Sequence, residues 1–132
     1  MSDSWSDRSV VVTGGRGFLG RAVCARLQQR GVGRLVTPGS ADYDLRRPDD
    51  VARLFADAQP DLVIHLAARV GGIGANMAAP ADLYLDNLLM GTYVIEQARL
   101  SGTPKTVVTG TICSYPKHTP VPFREDSLWQ GY

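Results

Sequence analysis

Cysteine, net charge and long apolar runs are all scarce in this sequence. It has only two cysteines, Cys24 and Cys113, among 132 residues, which is too few for a disulfide scaffold. The formal net charge of +1 gives no electrostatic reason to expect nucleic acid or an acidic membrane as a partner. No apolar run approaches the roughly 18 residues that a membrane-spanning helix needs. A cytoplasmic protein with reduced thiols is therefore expected, and no metal site is predicted.

Short apolar runs alternate with helical patterns along the chain. Residues 1–8 are polar and are expected to form a loose leader. Apolar or β-branched runs bounded by glycine or proline predict strands over residues 9–13, 34–37, 61–66 and 105–109, with a brief edge strand over 43–45. Apolar residues at helical spacing predict helices over 18–30, 48–59 and 80–100, with loops over 70–74 and 113–132. This alternation indicates βαβ units and an α/β fold with a parallel sheet and helices on both faces.

A glycine-rich turn joins the first predicted strand to the first helix. It reads Gly14-Gly15-Arg16-Gly17-Phe18-Leu19-Gly20, and its spacing fits G-x-G-x-x-G from Gly15 or G-x-x-G-x-x-G from Gly14. Glycine allows a sharp turn, a close approach of pyrophosphate to the backbone, and close packing of the helix on the strand. The helix N-terminus adds free N–H groups for phosphate. These features predict a Rossmann-type domain that binds NAD or NADP at this turn.

The residues after the second strand bear on the choice of dinucleotide. An acidic residue there would bind the ribose 2′-hydroxyl and favour NAD. This position instead reads Thr37-Pro38-Gly39-Ser40. Arg16 can pair with a 2′-phosphate, the alternative being a solvated surface side chain. NADP is therefore favoured, and NAD stays open.

The glycine turn and a second motif, His65-Leu66-Ala67-Ala68, together resemble the extended short-chain dehydrogenase/reductase family, whose members act on nucleotide-linked sugars. Two further stretches, 69–76 (R-V-G-G-I-G-A-N) and 110–117 (G-T-I-C-S-Y-P-K), look like the GDP-L-fucose synthase branch of that family. The resemblance covers nearly the whole chain from Val10 onward. Another nucleotide-sugar 4-epimerase or a 4,6-dehydratase is the alternative within the family.

The resemblance implies an enzyme that inverts C3 and C5 of a GDP-linked 4-keto sugar and then reduces the C4 ketone with NADPH. It also implies a homodimer for the full-length enzyme. Thr111 corresponds to the Ser or Thr of the family's reduction site, and Cys113 to the cysteine that handles protons. Asp44 and Leu45 correspond to the pair that contacts adenine. The residues expected along the ribose and phosphates are Leu66, Ala67 and Ala68.

These roles agree with the chemistry of the residues concerned. The C3 and C5 hydrogens flank a ketone, so a thiolate such as that of Cys113 is basic enough to remove them. Thr111 can donate a hydrogen bond to the ketone oxygen as charge develops there. A buried packing role is the alternative for Cys113. Packing is also what we expect of Cys24, and His65 is expected to be a satisfied core histidine.

The chain lacks the Tyr-x-x-x-Lys of the family, since none of its five tyrosines has lysine four residues later. Without that tyrosine there is no proton donor for the reduced ketone. We therefore expect residues 9–132 to be the N-terminal part of a longer enzyme, without its last strands and its substrate domain, and inactive alone. In the family, the helix that carries Tyr-x-x-x-Lys covers apolar surface on the 80–100 helix, and without it we expect that surface to be exposed. A natural short form that acts as a non-catalytic dinucleotide-binding module is the alternative.

Overall fold

Parallel strands and helices alternate through the computed structural model, which describes residues 4–131. The strands are β1 (Ser9–Thr13), β2 (Arg34–Val36), β3 (Leu62–His65) and β4 (Lys105–Val108). The helices are α1 (Phe18–Gln29), α2 (Pro48–Ala58), α3 (Ile73–Ala78) and α4 (Pro80–Leu100). Short 3-10 helices cover Trp5–Asp7, Ile112–Ser114 and Glu125–Trp129. Among residues 4–131, none of the helices combines the length and apolarity needed to cross a membrane.

The strands form one parallel sheet in the order β2-β1-β3-β4. In register, Val10 lies between Leu35 and Leu62, and Val11 lies between Val36 and Val63. The chain leaves β1 toward β2 on one side and returns to β3 on the other. The strand order therefore reverses between β1 and β3, and ligands bind outside the carboxyl ends of the strands at such a point. The predicted parallel, Rossmann-type sheet is confirmed.

Helices cover both faces of the sheet, as predicted. Val10 and Val12 of β1 form a buried cluster with Leu27 of α1. Val11 points to the opposite face, because side chains alternate along a strand. Its cluster is built from buried side chains of α2 and α4, namely Val51, Leu54, Phe55, Val94 and Ala98. The continuous valine run is thus the pattern expected of a strand buried on both faces.

The predicted edge strand over residues 43–45 is wrong. The N–H of Tyr43 donates to the carbonyl of Gly39 at 2.9 Å, which closes a turn. The N–H of Asp44 donates to Oδ2 of Asp50 at 3.0 Å. The N–H groups of Tyr43 and Asp44 are therefore bound by a turn and by a side chain of α2, and they are not available to extend the sheet.

Two predicted loops contain short helices. α3 begins at Ile73, inside the segment predicted to be a loop over residues 70–74. The side chain of Asn76 stabilises its start by donating to the carbonyls of Gly71 and Gly72 at 2.8 and 3.0 Å. The 113–132 segment, predicted to be a loop throughout, includes part of one 3-10 helix and all of another. Helices this short leave too little periodicity for a sequence pattern to reveal.

The leader packs against the sheet wherever the structure describes it. Residues 1–3 lie outside the described range. Trp5 packs on the cluster formed by β1 and α1, and its carbonyl accepts the N–H of Gly33 at 2.9 Å. The carbonyl of Arg8 accepts the N–H of Arg34 at 3.0 Å. Residues 4–8 are therefore attached to the start of β2 and are not loose.

α4 is only partly covered by the rest of the described chain. Ala98 is buried in the cluster around Val11. Tyr84, Leu88 and Ile95 are 70%, 49% and 51% exposed. An exposed apolar surface on this helix was expected from the sequence, and the structure contains one.

Candidate functional site

A buried polar pair fixes the carboxyl ends of the two central strands. Thr13 ends β1 and His65 ends β3, and the two side chains meet at 2.7 Å between Oγ1 and Nδ1. Oγ1 also accepts the N–H groups of Leu66 and Ala67, each at 3.2 Å. Burial lowers the pKa of His65. His65 is thus a satisfied core histidine, as predicted, and the pair locks the glycine turn to the strand beside it.

Two glycines of the turn lie where no other residue fits. Gly14 has a φ of +68°, and a Cβ there would lie 2.8 Å from the backbone nitrogen of Ala67. A Cβ on Gly20 would collide with the carbonyl oxygen of Gly14. Gly17 donates its N–H to that same oxygen at 2.9 Å. The contacts therefore favour the register built on Gly14, Gly17 and Gly20.

α1 begins directly after the turn with its first N–H groups free for a ligand. The N-cap is Gly17, and no side chain caps the helix. The first-turn N–H groups of a helix have no intrahelical partner and carry the positive end of its dipole. The exposed side chains of Phe18 and Leu19 are apolar, so these two residues can bind a phosphate only through their backbone N–H groups.

An open cleft of about 740 Å³ lies at the carboxyl ends of β1 and β3. Eight residues predicted to bind the cofactor line it: Gly14, Arg16, Gly17, Asp44, Leu45, Leu66, Ala67 and Ala68. Four predicted residues lie outside this lining: Gly15, Phe18, Leu19 and Gly20. Nine lining residues were not predicted to bind the cofactor: Pro38, Gly39, Ser40, Tyr43, Arg46, Arg69, Val70, Asp86 and Met90.

Arg16 reaches from the glycine turn to the end of β2. A Cβ built on Gly39 would lie 3.0 Å from its Nη1, so the guanidinium lies against the backbone there. The carboxylate of Asp42 lies beside the same point. Within residues 4–131, Arg16 forms no ion pair. The side chain therefore offers a cation next to the place where a Rossmann-type site holds the adenosine ribose.

A chain of four charges lines the wall of the cleft beyond β2. Arg46 pairs with Asp44 at 2.7 Å and with Asp86 of α4 at 3.4 Å. Asp86 also pairs with Arg69 at 2.7 Å. The hydrogen bonds from Arg46 lower the pKa of Asp44 to about 2, and the bond from Arg69 lowers the pKa of Asp86. Both carboxylates are therefore ionised at neutral pH.

Asn87 fastens the segment after β3 to α4. Its Oδ1 accepts the N–H of Arg69 at 2.8 Å, and its Nδ2 donates to the carbonyl of the same residue at 2.8 Å. A second open cavity, of about 580 Å³, lies beside this clamp and is lined in part by Tyr84 and Leu88. The two cavities share Arg69 and Val70. The hydrogen bonds between Asn87 and Arg69 therefore lie where the two cavities adjoin.

Thr111 and Cys113 follow β4 and lie outside the lining of the main cleft. Both are exposed, and Oγ1 of Thr111 accepts the N–H of Cys113 at 3.2 Å at the start of a 3-10 helix. β4 pairs with β3, whose His65 lies opposite Val108. The predicted catalytic pair is thus held together at the carboxyl edge of the sheet, one strand further from the glycine turn.

Comparison with known proteins supports the family resemblance. Residues 10–130 match the model of the NAD dependent epimerase/dehydratase family. GDP-L-fucose synthase 1 from Arabidopsis thaliana is 42% identical over 127 residues, which cover 95% of this chain and 39% of the relative. The GDP-L-fucose synthase of Escherichia coli strain K12 is 35% identical over 126 residues, which cover 96% of this chain and 39% of the relative. The chain therefore spans about two fifths of the length of these curated relatives.

Solved structures agree with this comparison. MlghC, a GDP-mannoheptose C4 reductase from Campylobacter jejuni with NADP bound, matches at a TM-score of 0.87 and 31% identity, over 96% of this chain and 40% of that one. A GDP-L-fucose synthetase from Naegleria fowleri bound to NADP matches at a TM-score of 0.84 and 35% identity, over 96% and 38%.

Proposed function

The chain belongs to the NAD dependent epimerase/dehydratase family, and from that membership we propose that it is the NADP-binding portion of a nucleotide-sugar epimerase/reductase. The observation that carries this proposal is the cleft at the reversal of strand order. It combines a glycine turn, an uncapped helix N-terminus and the cation of Arg16. These are the features that hold a pyrophosphate and a 2′-phosphate.

Each part of the dinucleotide has a matching part of the cleft. The N-terminus of α1 takes the pyrophosphate, and Arg16 takes the 2′-phosphate at the end of β2. Asp44 and Leu45 contact the adenine. The residues that lie along the ribose and phosphates are Leu66, Ala67 and Ala68. NADP bound in two structural neighbours supports this choice of cofactor.

The proposed substrate is a GDP-linked 4-keto sugar, since the similar curated proteins are named GDP-L-fucose synthases. The thiolate of Cys113 removes the proton from C3 and from C5, which the neighbouring ketone makes acidic, and a second acid returns a proton to the opposite face of each carbon to complete the inversion. The hydroxyl of Thr111 donates a hydrogen bond to the C4 oxygen. NADPH, when bound, supplies the hydride that reduces C4.

The proposal also includes the oligomeric state and the cellular compartment of the whole enzyme. The apolar side chains that α4 leaves exposed, Tyr84, Leu88 and Ile95, support a homodimer formed through this helix. Both cysteines are free, which fits the reducing environment of a cytoplasmic enzyme. Neither nucleic acid nor a membrane is proposed as a partner.

A non-catalytic dinucleotide-binding module is the second candidate. It needs only the dinucleotide cleft, whereas reduction of a ketone also needs a proton donor for the new hydroxyl, and these 132 residues contain no Tyr-x-x-x-Lys. Both candidates agree that this chain binds NADPH, and both expect no reductase turnover from it alone.

Fluorescence titration of the chain with NADPH tests the proposal. We expect saturable binding, with NADH weaker, and loss of binding in Gly14→Val, whose side chain would enter the backbone of Ala67. Ser101→Ala, in the turn after α4, is the control. A folded chain that binds neither dinucleotide would overturn the proposal. NADPH oxidation by this chain with a GDP-linked 4-keto sugar would overturn the expected inactivity.

A further inference from the structure

The carboxylate of Asp44 is held by three hydrogen bonds from one residue. The N–H and Nε of Arg46 donate to Oδ1 at 3.0 and 2.9 Å, and Nη2 donates to Oδ2 at 2.7 Å. A carboxylate has about four acceptor positions. One position on Oδ2 is therefore left for a donor in the cleft.

Arg46 is itself fixed at a second point. Its Nη1 lies 3.4 Å from Oδ2 of Asp86, a carboxylate that is only 14% exposed and is also bound by Arg69. The guanidinium thus spans from the segment after β2 to α4. Because it is planar and held on two edges, the plane and position of the Asp44 carboxylate are set as well.

From this geometry we infer that Arg46 is a positioning residue, which fixes Asp44 so that the cleft selects a purine with an amino group at position 6. The inference rests on the proposed binding of NADP. A dinucleotide with its pyrophosphate at α1 and its ribose at the end of β2 directs its base to the wall that carries Asp44 and Arg46. There the 6-amino group of adenine donates to the free position on Oδ2.

A 6-oxo purine cannot make this contact. It presents a carbonyl oxygen where adenine presents N–H, and that oxygen faces an ionised carboxylate. Sites built to bond a ligand N–H reject analogues that lack it, because their own polar group is left unpaired. The guanidinium of Arg46 cannot rotate to rescue the oxo group without giving up its bonds to Asp44.

Calorimetric titration of the chain with NADP and with its hypoxanthine analogue tests the inference. The unaltered chain should bind NADP at least roughly tenfold more tightly than the hypoxanthine analogue. In Arg46→Gln the preference should fall to about twofold, mostly through weaker binding of NADP. A purely structural role would weaken both ligands equally and leave the ratio unchanged, and that result would overturn the inference.

Further variants separate geometry from folding. Arg46→Lys keeps the charge but loses the several donors of the planar guanidinium. It should recover less than half of the preference for NADP that Arg46→Gln loses. Asp44→Asn offers an amide that can donate to the oxo group, so the preference should vanish or reverse. Arg99→Gln removes a similar ion pair on α4, with Glu96 at 2.7 Å, and should leave the ratio unchanged.

The outcomes distinguish this inference from the proposed function. If the unaltered chain binds neither dinucleotide, the proposed function fails and the inference falls with it. If it binds both equally, NADP binding stands and the selection by Asp44 and Arg46 is wrong. A full preference retained in both Arg46 variants would mean that Asp44 needs no positioning residue.

Discussion

The hydroxyl of Thr13 donates a hydrogen bond to His65, with 2.7 Å between Oγ1 and Nδ1. The direction follows from the other contacts of the hydroxyl, whose oxygen already accepts the N–H groups of Leu66 and Ala67. A hydroxyl has two acceptor positions and one proton, so Nδ1 must be the acceptor. His65 is therefore a neutral imidazole that carries its proton on Nε2.

Replacing Thr13 by valine should destabilise the fold. The change keeps the shape of a fully buried side chain but leaves Nδ1 of His65 and the N–H of Ala67 without their partner, while the N–H of Leu66 keeps its bond to the backbone carbonyl of Thr13 at 3.2 Å. Each unsatisfied buried group costs about 1–3 kcal/mol, so the loss of two partners should lower the free energy of unfolding by roughly 2–6 kcal/mol. Urea denaturation measures it. Thr106→Val on β4 is the control, and equal losses in the two variants would contradict the prediction.

Stability should decrease as the pH falls from about 7.5 to 5. Burial lowers the pKa of His65 in the folded chain below its usual value of 6.5, so the unfolded chain takes up a proton first. The free energy of unfolding then falls with pH, by at most about 1.4 kcal/mol per unit for one group. The slope should vanish in His65→Gln and persist when the exposed His118 is changed to Gln.

Alanine should weaken cofactor binding at one helical glycine, Gly20, and stabilise the fold at another, Gly91. At Gly20 the added Cβ would collide with the carbonyl of Gly14, so Gly20→Ala should displace the turn and weaken NADPH binding by tenfold or more, on the order of 1.4 kcal/mol. At Gly91 in α4 nothing lies within 4 Å of the added Cβ. Gly91→Ala should raise the free energy of unfolding by about 0.5–1 kcal/mol. Unaltered NADPH binding by Gly20→Ala would refute the proposed role of the turn.

Arg16→Gln should reduce the preference for NADPH over NADH. A charge-assisted bond to phosphate is worth about 1.5–3 kcal/mol, so binding of NADPH should weaken roughly tenfold or more while NADH changes little. Competition titrations of both dinucleotides measure this. Arg26→Gln, on α1 beside Gln29, is the matched control. An equal loss for NADPH and NADH would assign Arg16 to the pyrophosphate instead.

Cys113→Ser should abolish proton exchange while sparing cofactor binding. The test is a chimera in which residues 10–130 replace the matching part of the Arabidopsis relative. Uptake of solvent deuterium at C3 and C5 of a GDP-linked 4-keto sugar should fall about 100-fold or more. Cys24→Ser is the control, since Cys24 packs beneath the glycine turn, as predicted, and burial raises its pKa. Undiminished exchange would exclude Cys113 from the mechanism.

Most of the fold was predictable because its signals are local. Val10 to Val12 end at glycines, and Pro48 begins α2 where its missing N–H costs nothing. The end of α2 was less predictable, since Gln59 closes it with a φ of +44°, a conformation that sequence patterns assign to glycine or asparagine. The segment over residues 43–45 was mistaken for a strand because its partner, the carboxylate of Asp50, could not be foreseen from its own residues.

The candidate site was predictable only where it is contiguous in sequence. The glycine turn and residues 65–68 are short motifs with a fixed spacing. Arg46, Arg69 and Asp86 come from three segments, and exposed arginines usually belong to the solvated surface. The one available signal was the spacing of Asp44 and Arg46, which lets a side chain fold back on a neighbour two residues away.

β1 combines pairing on both edges with complete burial from Val10 to Thr13. Its amide protons can meet water only when the helices on both faces detach, so they should exchange at the rate of global unfolding. α3 and the residues after β4 carry mostly exposed side chains and should exchange through local opening. β1, the strand that leads into the glycine turn, is then the last part of the chain to open. The proposed phosphate-binding turn therefore keeps its position while α3 and the residues after β4 open and close locally.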